Sequence, residues 1–151
     1  MASVSIQPGD FDVAQEIAAL TRGRADIGGV VTFTGYCRDE GGALAALELE
    51  HYPDMAEAEI ARVAAQAEAR WPLLGVRIIH RYGRLAPGEQ VVLVIAAAAH
   101  RASAFAAADF LMDFLKTRAP FWKKEHRADG TSTGWVSAKE ADDAAAARWI
   151  G

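Results

Sequence analysis

Apolar and polar positions along this chain switch repeatedly between a helical period and strict alternation, and each switch coincides with a capping, glycine or proline signal. Asp12 with Gln15 three residues on is a capping-box pattern that opens a short helix running to about Leu20. Gly28-Gly29 precedes the β-rich run Val30 to Cys37; after Gly41-Gly42, Leu47 and Leu49 alternate with Glu48 and Glu50 in a run from Leu44 to Tyr52. Strand, glycine turn and half-buried strand predict a hairpin. Asp54 followed by Glu57 repeats the capping signature, and an alanine-rich helix continues to about Arg70, stopped by Pro72.

Two strands follow, Val76 to Tyr82 and Gln90 to Ala99, separated by the turn dipeptide Pro87-Gly88. The second has the continuous apolar character of a strand buried on both faces. From about Ala102 a long helix carries Phe105, Ala108, Met112 and Leu115 on one stripe and must end before Pro120. Alternation returns in Phe121-Trp122-Lys123 and Gly134-Trp135-Val136, with Asp129-Gly130 as the turn between them, and a brief helix from Asp142 to Trp149 closes the chain. The pattern predicts one α+β domain over residues 1–151, a mixed and largely antiparallel sheet with packed helices.

Composition narrows this picture. Of 151 residues 52% are apolar, yet 33 are alanine, so the larger core-filling groups suffice for one domain and leave little for a second. The single cysteine, Cys37, excludes an internal disulfide and fits a reducing compartment. The opening residues lack the basic and apolar regions of a signal peptide, and the longest apolar run, Val91 to Ala99, is half of what a bilayer span needs. The expectation is a soluble, cytoplasmic protein.

The net charge of −4 argues against a general nucleic-acid binder. Between His100 and Arg127, however, six cations (Arg101, Lys116, Arg118, Lys123, Lys124, Arg127) face three acids, so this stretch is +3 and the remainder −7. A basic patch on an acidic protein points to a discrete anionic partner.

Phosphate-loop, dinucleotide, zinc-protease and serine-hydrolase motifs are all missing, and no Cys/His pair has zinc-ligand spacing. A cationic constellation remains. His100-Arg101 falls where a buried strand gives way to the long helix, a position at which backbone amides and the positive helix end favour an anion. Alone, the pair reads as a helix cap or packed strand end at His100 and a solvated arginine. Lys116 at the helix C-terminus is stabilised by the dipole whatever else it does; bordered by Met112, Leu115 and Pro120-Phe121-Trp122, it also reads as a partly desolvated base or nucleophile. Lys123 and Lys124 adjoin in a strand and point to opposite faces, so at most one shares a site with Lys116. Arg38 ends the strand bearing Gly35 and Tyr36, and alternation sets Cys37 on the other face as a packed thiol.

These segments together resemble a known family. TFTGYCR (Thr32 to Arg38), LELEHYPDM (Leu47 to Met55), RWPL (Arg70 to Leu73), AHR (Ala99 to Arg101) and above all MDFLKTRAPFWKKE (Met112 to Glu125) resemble the catalytic, large subunit of molybdopterin synthase. The resemblance runs from the first helix to Trp149, and the fourteen-residue block is its most specific part. It implies an α/β hammerhead-like fold and a sulfurtransferase that converts cyclic pyranopterin monophosphate to molybdopterin. The sulfur arrives as a thiocarboxylate on the C-terminal Gly-Gly of a small ubiquitin-like partner subunit. By motif, Lys116 and Lys123 are the implied catalytic pair and Arg38, His100 and Arg101 the substrate contacts, flanked by Tyr36, Cys37, Lys124 and Glu125. No metal or redox cofactor is implied. Lys139 stands where the family can present arginine, and the turn-rich stretch Ala128 to Gly134 departs from the family pattern.

Geometry adds one expectation. If His100-Arg101 opens the long helix and Lys116 closes it, a rise of 1.5 Å per residue separates them by roughly 20 to 25 Å. One pocket then draws His100 and Arg101 from one copy and Lys116, Lys123 and Arg38 from another, which predicts a symmetric homodimer and, with two small subunits, a heterotetramer. Two rival readings share the residues: a non-catalytic module that binds a phosphorylated ligand or acidic peptide tail, and a phosphate-transfer enzyme with His100 as nucleophile.

Overall fold

A computed structural model of the chain describes residues 2–39, 41–118 and 120–135. Along it run β1 (Ala2–Gln7), α1 (Val13–Thr21), β2 (Gly29–Tyr36), β3 (Leu44–His51), α2 (Pro53–Arg70), β4 (Leu73–Arg81), β5 (Gly83–Leu85), β6 (Gln90–Ala98), α3 (Arg101–Thr117) and β7 (Phe121–Arg127). The strands divide into a four-stranded sheet ordered β1-β4-β6-β2 and a three-stranded sheet ordered β5-β3-β7. Among the described residues only the β1–β4 pair is parallel, so the expected mixed, largely antiparallel α+β architecture is present, distributed over two sheets.

Local signals place the helices. The Asp12 carboxylate accepts the Gln15 backbone N–H at 3.1 Å and caps α1. The second capping signature does not act: α2 begins one residue earlier than Asp54, with Tyr52 at the cap making no side-chain bond and Pro53 in the first turn, where its missing N–H costs nothing. Trp71 is extended because Pro72 follows it, and α2 stops at Arg70.

The predicted hairpin does not form. β2 pairs with β6 over Gly29–Tyr36, and β3 pairs instead with β5 and β7. Val31 on β2 packs into the cluster beneath α2 and α3 while Val30 packs toward α1, so both faces of this strand belong to the first sheet. Gly41 and Gly42, at φ 74° and 78°, then turn the chain toward the second. Neither β1 nor β5 is predicted by the pattern: Val4 and Ile6 are the only large apolar groups of β1, and β5 has three residues, too few to show a period.

Two apolar layers sandwich β6. Val94 and Ala96 face a cluster with Ile60, Val63, Ile78, Ala107 and Leu111, whereas Leu93 and Ile95 face Phe11 and Ile79 with Ile17 and Leu20 of α1 against them. This strand is buried on both sides as expected. Each fully buried Ile or Leu contributes about 1.5–3 kcal/mol. Ala56, Ala64, Ala67, Ala104 and Ala107 have no exposed surface, so the alanine excess serves close helix packing. The stripe predicted for α3 is rotated: Ala104, Ala107, Ala108, Phe110 and Leu111 are buried, and Phe105 is 62% exposed.

Gly28 and Ala99 lock β2 to the start of α3. A side chain on Gly28 would place its Cβ 1.9 Å from the Ala99 carbonyl oxygen. Only glycine permits this approach, which the Gly28 N–H bond to the Ala98 carbonyl holds at 2.9 Å. No helix among the described residues is long and apolar enough to cross a membrane. The expected helix from Asp142 to Trp149, Val136 and Lys139 lie outside the described residues.

Candidate active site

α3 follows β6 directly and runs back along the first sheet, so its two ends lie at opposite ends of that sheet. His100 is the N-cap of α3, with no side-chain cap bond, and Arg101 is its first residue; both are exposed. Lys116 lies in the last turn. Fifteen residues at 1.5 Å each separate Arg101 from Lys116 by about 22 Å. The separation expected from sequence is present, and one chain cannot bring these groups together.

At the far end the strands converge. β2 starts at Gly29, opposite Ala98, and ends at Tyr36, opposite Gln90. Its seven steps carry Tyr36, Cys37 and Arg38 about 23 Å from the His100 end, to the end of the sheet where α3 finishes. Tyr36 is 59% exposed and Arg38 is exposed, whereas Cys37 between them is buried. Its Sγ lies 3.9 Å from the Leu85 carbonyl, and burial raises the thiol pKa, so the group is a packed thiol with no thiolate available at neutral pH.

β7 brings the second lysine. It pairs with β3 so that Phe121 faces His51, Lys123 faces Leu49, Lys124 faces Glu48 and Glu125 faces Leu47. Alternation then sets Phe121, Lys123 and Glu125 on one face and Trp122, Lys124 and His126 on the other. The Lys124 Nζ lies 5.6 Å from the Trp135 ring centroid, and the His126 Nε2 lies 2.8 Å from the Glu48 Oε1, both on that second face. Lys123 is half-buried on the side of Phe121. Of the two adjoining lysines, Lys123 is the one on the face of β7 that carries Phe121, whose ring stacks on His80.

Lys116 itself is exposed in the single chain, which corrects the expected partial desolvation: the apolar Met112 and Leu115 turn into the core and leave the ammonium in water. The desolvated group nearby is one that the sequence did not single out. His80 is buried, and burial, with the charges of His51 and Lys116 acting in the same direction, pushes its pKa down to about 4. Its Nδ1–H donates to the Arg81 carbonyl at 2.8 Å, which fixes the neutral tautomer. Its ring stacks on Phe121 at 3.9 Å, and His51 stacks on Phe121 at 5.6 Å and tilts against Tyr82 at 4.5 Å. The His51 Nδ1 is buried without a hydrogen-bond partner, a cost of about 1–3 kcal/mol. A polar residue inside the apolar run Leu73 to Arg81 was the available sequence signal for His80.

The two-sheet α+β domain carries Lys123 beside an aromatic stack, Lys116 at one end of α3 and a His-Arg pair at the other, an arrangement suited to anionic ligands whose cationic contacts are divided between the ends of one helix. Residues 6–118 match the family described as MoaE protein. The chain is 69% identical over 147 residues to the molybdopterin synthase catalytic subunit of Mesorhizobium japonicum, covering 97% of this chain and 92% of that one. Among solved structures it is similar to the molybdopterin biosynthesis MoaE protein of Burkholderia ambifaria, with TM-score 0.85 and 50% identity over 99% of this chain and 98% of that one. It is also similar to molybdopterin synthase from Staphylococcus aureus, with TM-score 0.79 and 29% identity over 88% and 96% of the two chains. The chain belongs to the MoaE family.

Proposed function

We propose that this chain is the catalytic subunit of a molybdopterin synthase, a sulfurtransferase that converts cyclic pyranopterin monophosphate to molybdopterin. Sulfur comes from the C-terminal thiocarboxylate of a small ubiquitin-like subunit. The names of the relatives, a catalytic subunit, presuppose a second polypeptide. The observation that supports the reading is that Lys116 closes α3 and Lys123 lies on the Phe121 face of β7, the strand that follows directly, at the end of the sheet that also bears Arg38.

In this reading the thiocarboxylate sulfur bonds to the pterin side chain as a C–O bond there breaks, and water then cleaves the resulting thioester, leaving sulfur on the pterin and a carboxylate on the small subunit. Lys116 and Lys123 stabilise the negative charge at the thioester carbonyl and on the departing oxygen and move the water's proton. Arg38 contributes a planar fork to the anionic substrate. Tyr36 and Glu125 border the same end, while Lys124 lies on the reverse face and Cys37 beneath the surface. The phosphate contacts are completed across a homodimer by the partner's His100 and the partner's Arg101, since those of the same chain are about 22 Å away. Two such sites and two small subunits make a heterotetramer.

The test is turnover with the thiocarboxylated small subunit. Lys116→Ala and Lys123→Ala each lower the rate of molybdopterin formation by at least about 100-fold while small-subunit affinity changes less than about threefold. Equal losses of binding and turnover would make the lysines tethers and refute a catalytic role.

A further inference from the structure

The stack about Phe121 occupies a particular place in the fold. His80 belongs to β4 of the first sheet, and His51 ends β3 of the second, on which Phe121 is its register partner. The three rings therefore form a contact at which the two sheets meet. Phe121 opens β7 two residues before Lys123, and only residues 118–120 separate it from the end of α3, which carries Lys116 in its last turn. Phe121 thus lies between the two lysines along the chain, five residues after Lys116 and two before Lys123.

Core filling alone does not explain the two imidazoles. A phenyl ring at His51 would occupy the same space without an unmet Nδ1, and burial keeps the His80 imidazole neutral. A flat, neutral ring can lie against Phe121 at 3.9 Å and 17° and leave the neighbouring ammonium as the local charge.

We propose that the His80–Phe121–His51 stack is the positioning element of the active site, setting Lys116 and Lys123 relative to each other by clamping the ring between them. His80 and His51 act through Phe121 and do not touch substrate. This rests on the reading of Lys116 and Lys123 as the catalytic pair. A displacement near 1 Å of a reacting group lowers rate by about 100-fold without removing a binding contact, so the loss falls on turnover.

The experiment uses the assembled enzyme with thiocarboxylated small subunit and measures single-turnover product formation, small-subunit affinity and melting temperature. His80→Leu keeps the volume and removes the stack; Phe121→Leu removes it from the other side and covers the case in which the first variant folds poorly. Each is expected to lower the rate by about 10- to 100-fold with small-subunit affinity within about threefold. His80→Phe restores a flat ring and is expected to recover the rate to within about threefold of the parent. A His80→Leu enzyme at the parental rate, or a loss that His80→Phe does not recover, overturns the proposal. Lys116→Ala measured in parallel separates the two readings: full activity there refutes the lysine pair itself, whereas its loss beside an unaffected His80→Leu refutes only the positioning role.

Discussion

The imidazole of His80 lies against the ring of Phe121 with centroids 3.9 Å apart and planes 17° from parallel, joining β4 of one sheet to β7 of the other. The same imidazole donates through Nδ1 to the Arg81 carbonyl and senses the charge of Lys116. The core contact at Phe121 thus lies two residues before Lys123 on β7 and five after Lys116 on α3.

Acid should weaken this unit before it affects the carboxylates. The pKa of His80 falls from 6.5 in the unfolded chain to about 4 in the fold, so only the unfolded chain takes up this proton between those values. Its contribution to stability is intact above pH 6.5 and declines as pH falls toward 4, by about 3 kcal/mol in all. Asp10, whose pKa is lowered first by the Gln90 amide and then by the Phe11 N–H, loses its contribution only below its ordinary value of 3.8. Urea unfolding at pH 7 and pH 4.5 should show a smaller difference for His80→Phe than for the parent; equal differences would contradict the assignment.

Gly28→Ala should destabilise the fold by about 2 kcal/mol or more, because the added methyl meets the Ala99 carbonyl oxygen at 1.9 Å and backbone must move. The shift falls where α3 begins, so Arg101 is displaced with it. Thermal unfolding of Gly28→Ala beside Gly9→Ala, where a side chain meets nothing within 4 Å, checks this.

The two faces of β7 predict unequal lysines. Lys123→Ala should cost at least about tenfold more turnover than Lys124→Ala, since Lys124 lies with Glu48 and Trp135 on the reverse face. Single-turnover rates of the two variants decide it, and equal losses would show that both faces serve the reaction.

What the sequence made legible was local. Asp12 and Gln15 are three residues apart, and the Asp12 carboxylate meets the Gln15 backbone N–H within one turn, so the α1 start could be read directly. The burial of β6 on both faces follows from its unbroken apolar run, and the opposite faces of Lys123 and Lys124 from strand alternation. Pairing between sheets was not legible: Gly41-Gly42 looks the same whether it closes a hairpin or sends β3 to a second sheet, and the choice rests on β6 as the alternative partner of β2. Nor was the stack, since His51, His80 and Phe121 meet only after the sheets pack. Phe105 counted as core by its spacing with Ala108 and Met112, yet the stripe that α3 buries is set by which face meets β6 and β2. The residues proposed for the site stood out through their resemblance to a family, because a pocket shared by distant ends of one helix leaves no periodic trace.

Sharing of the proposed site between two copies predicts that two inactive variants complement each other. Arg101→Ala and Lys116→Ala homodimers each carry two defective sites. A one-to-one mixture after subunit exchange contains about half hybrid dimers, each with one intact site and one doubly defective, so turnover should return to about a quarter of the parental value. Recovery to that level is the predicted result; activity no higher than that of the separate variants, with exchange verified, would contradict a shared site.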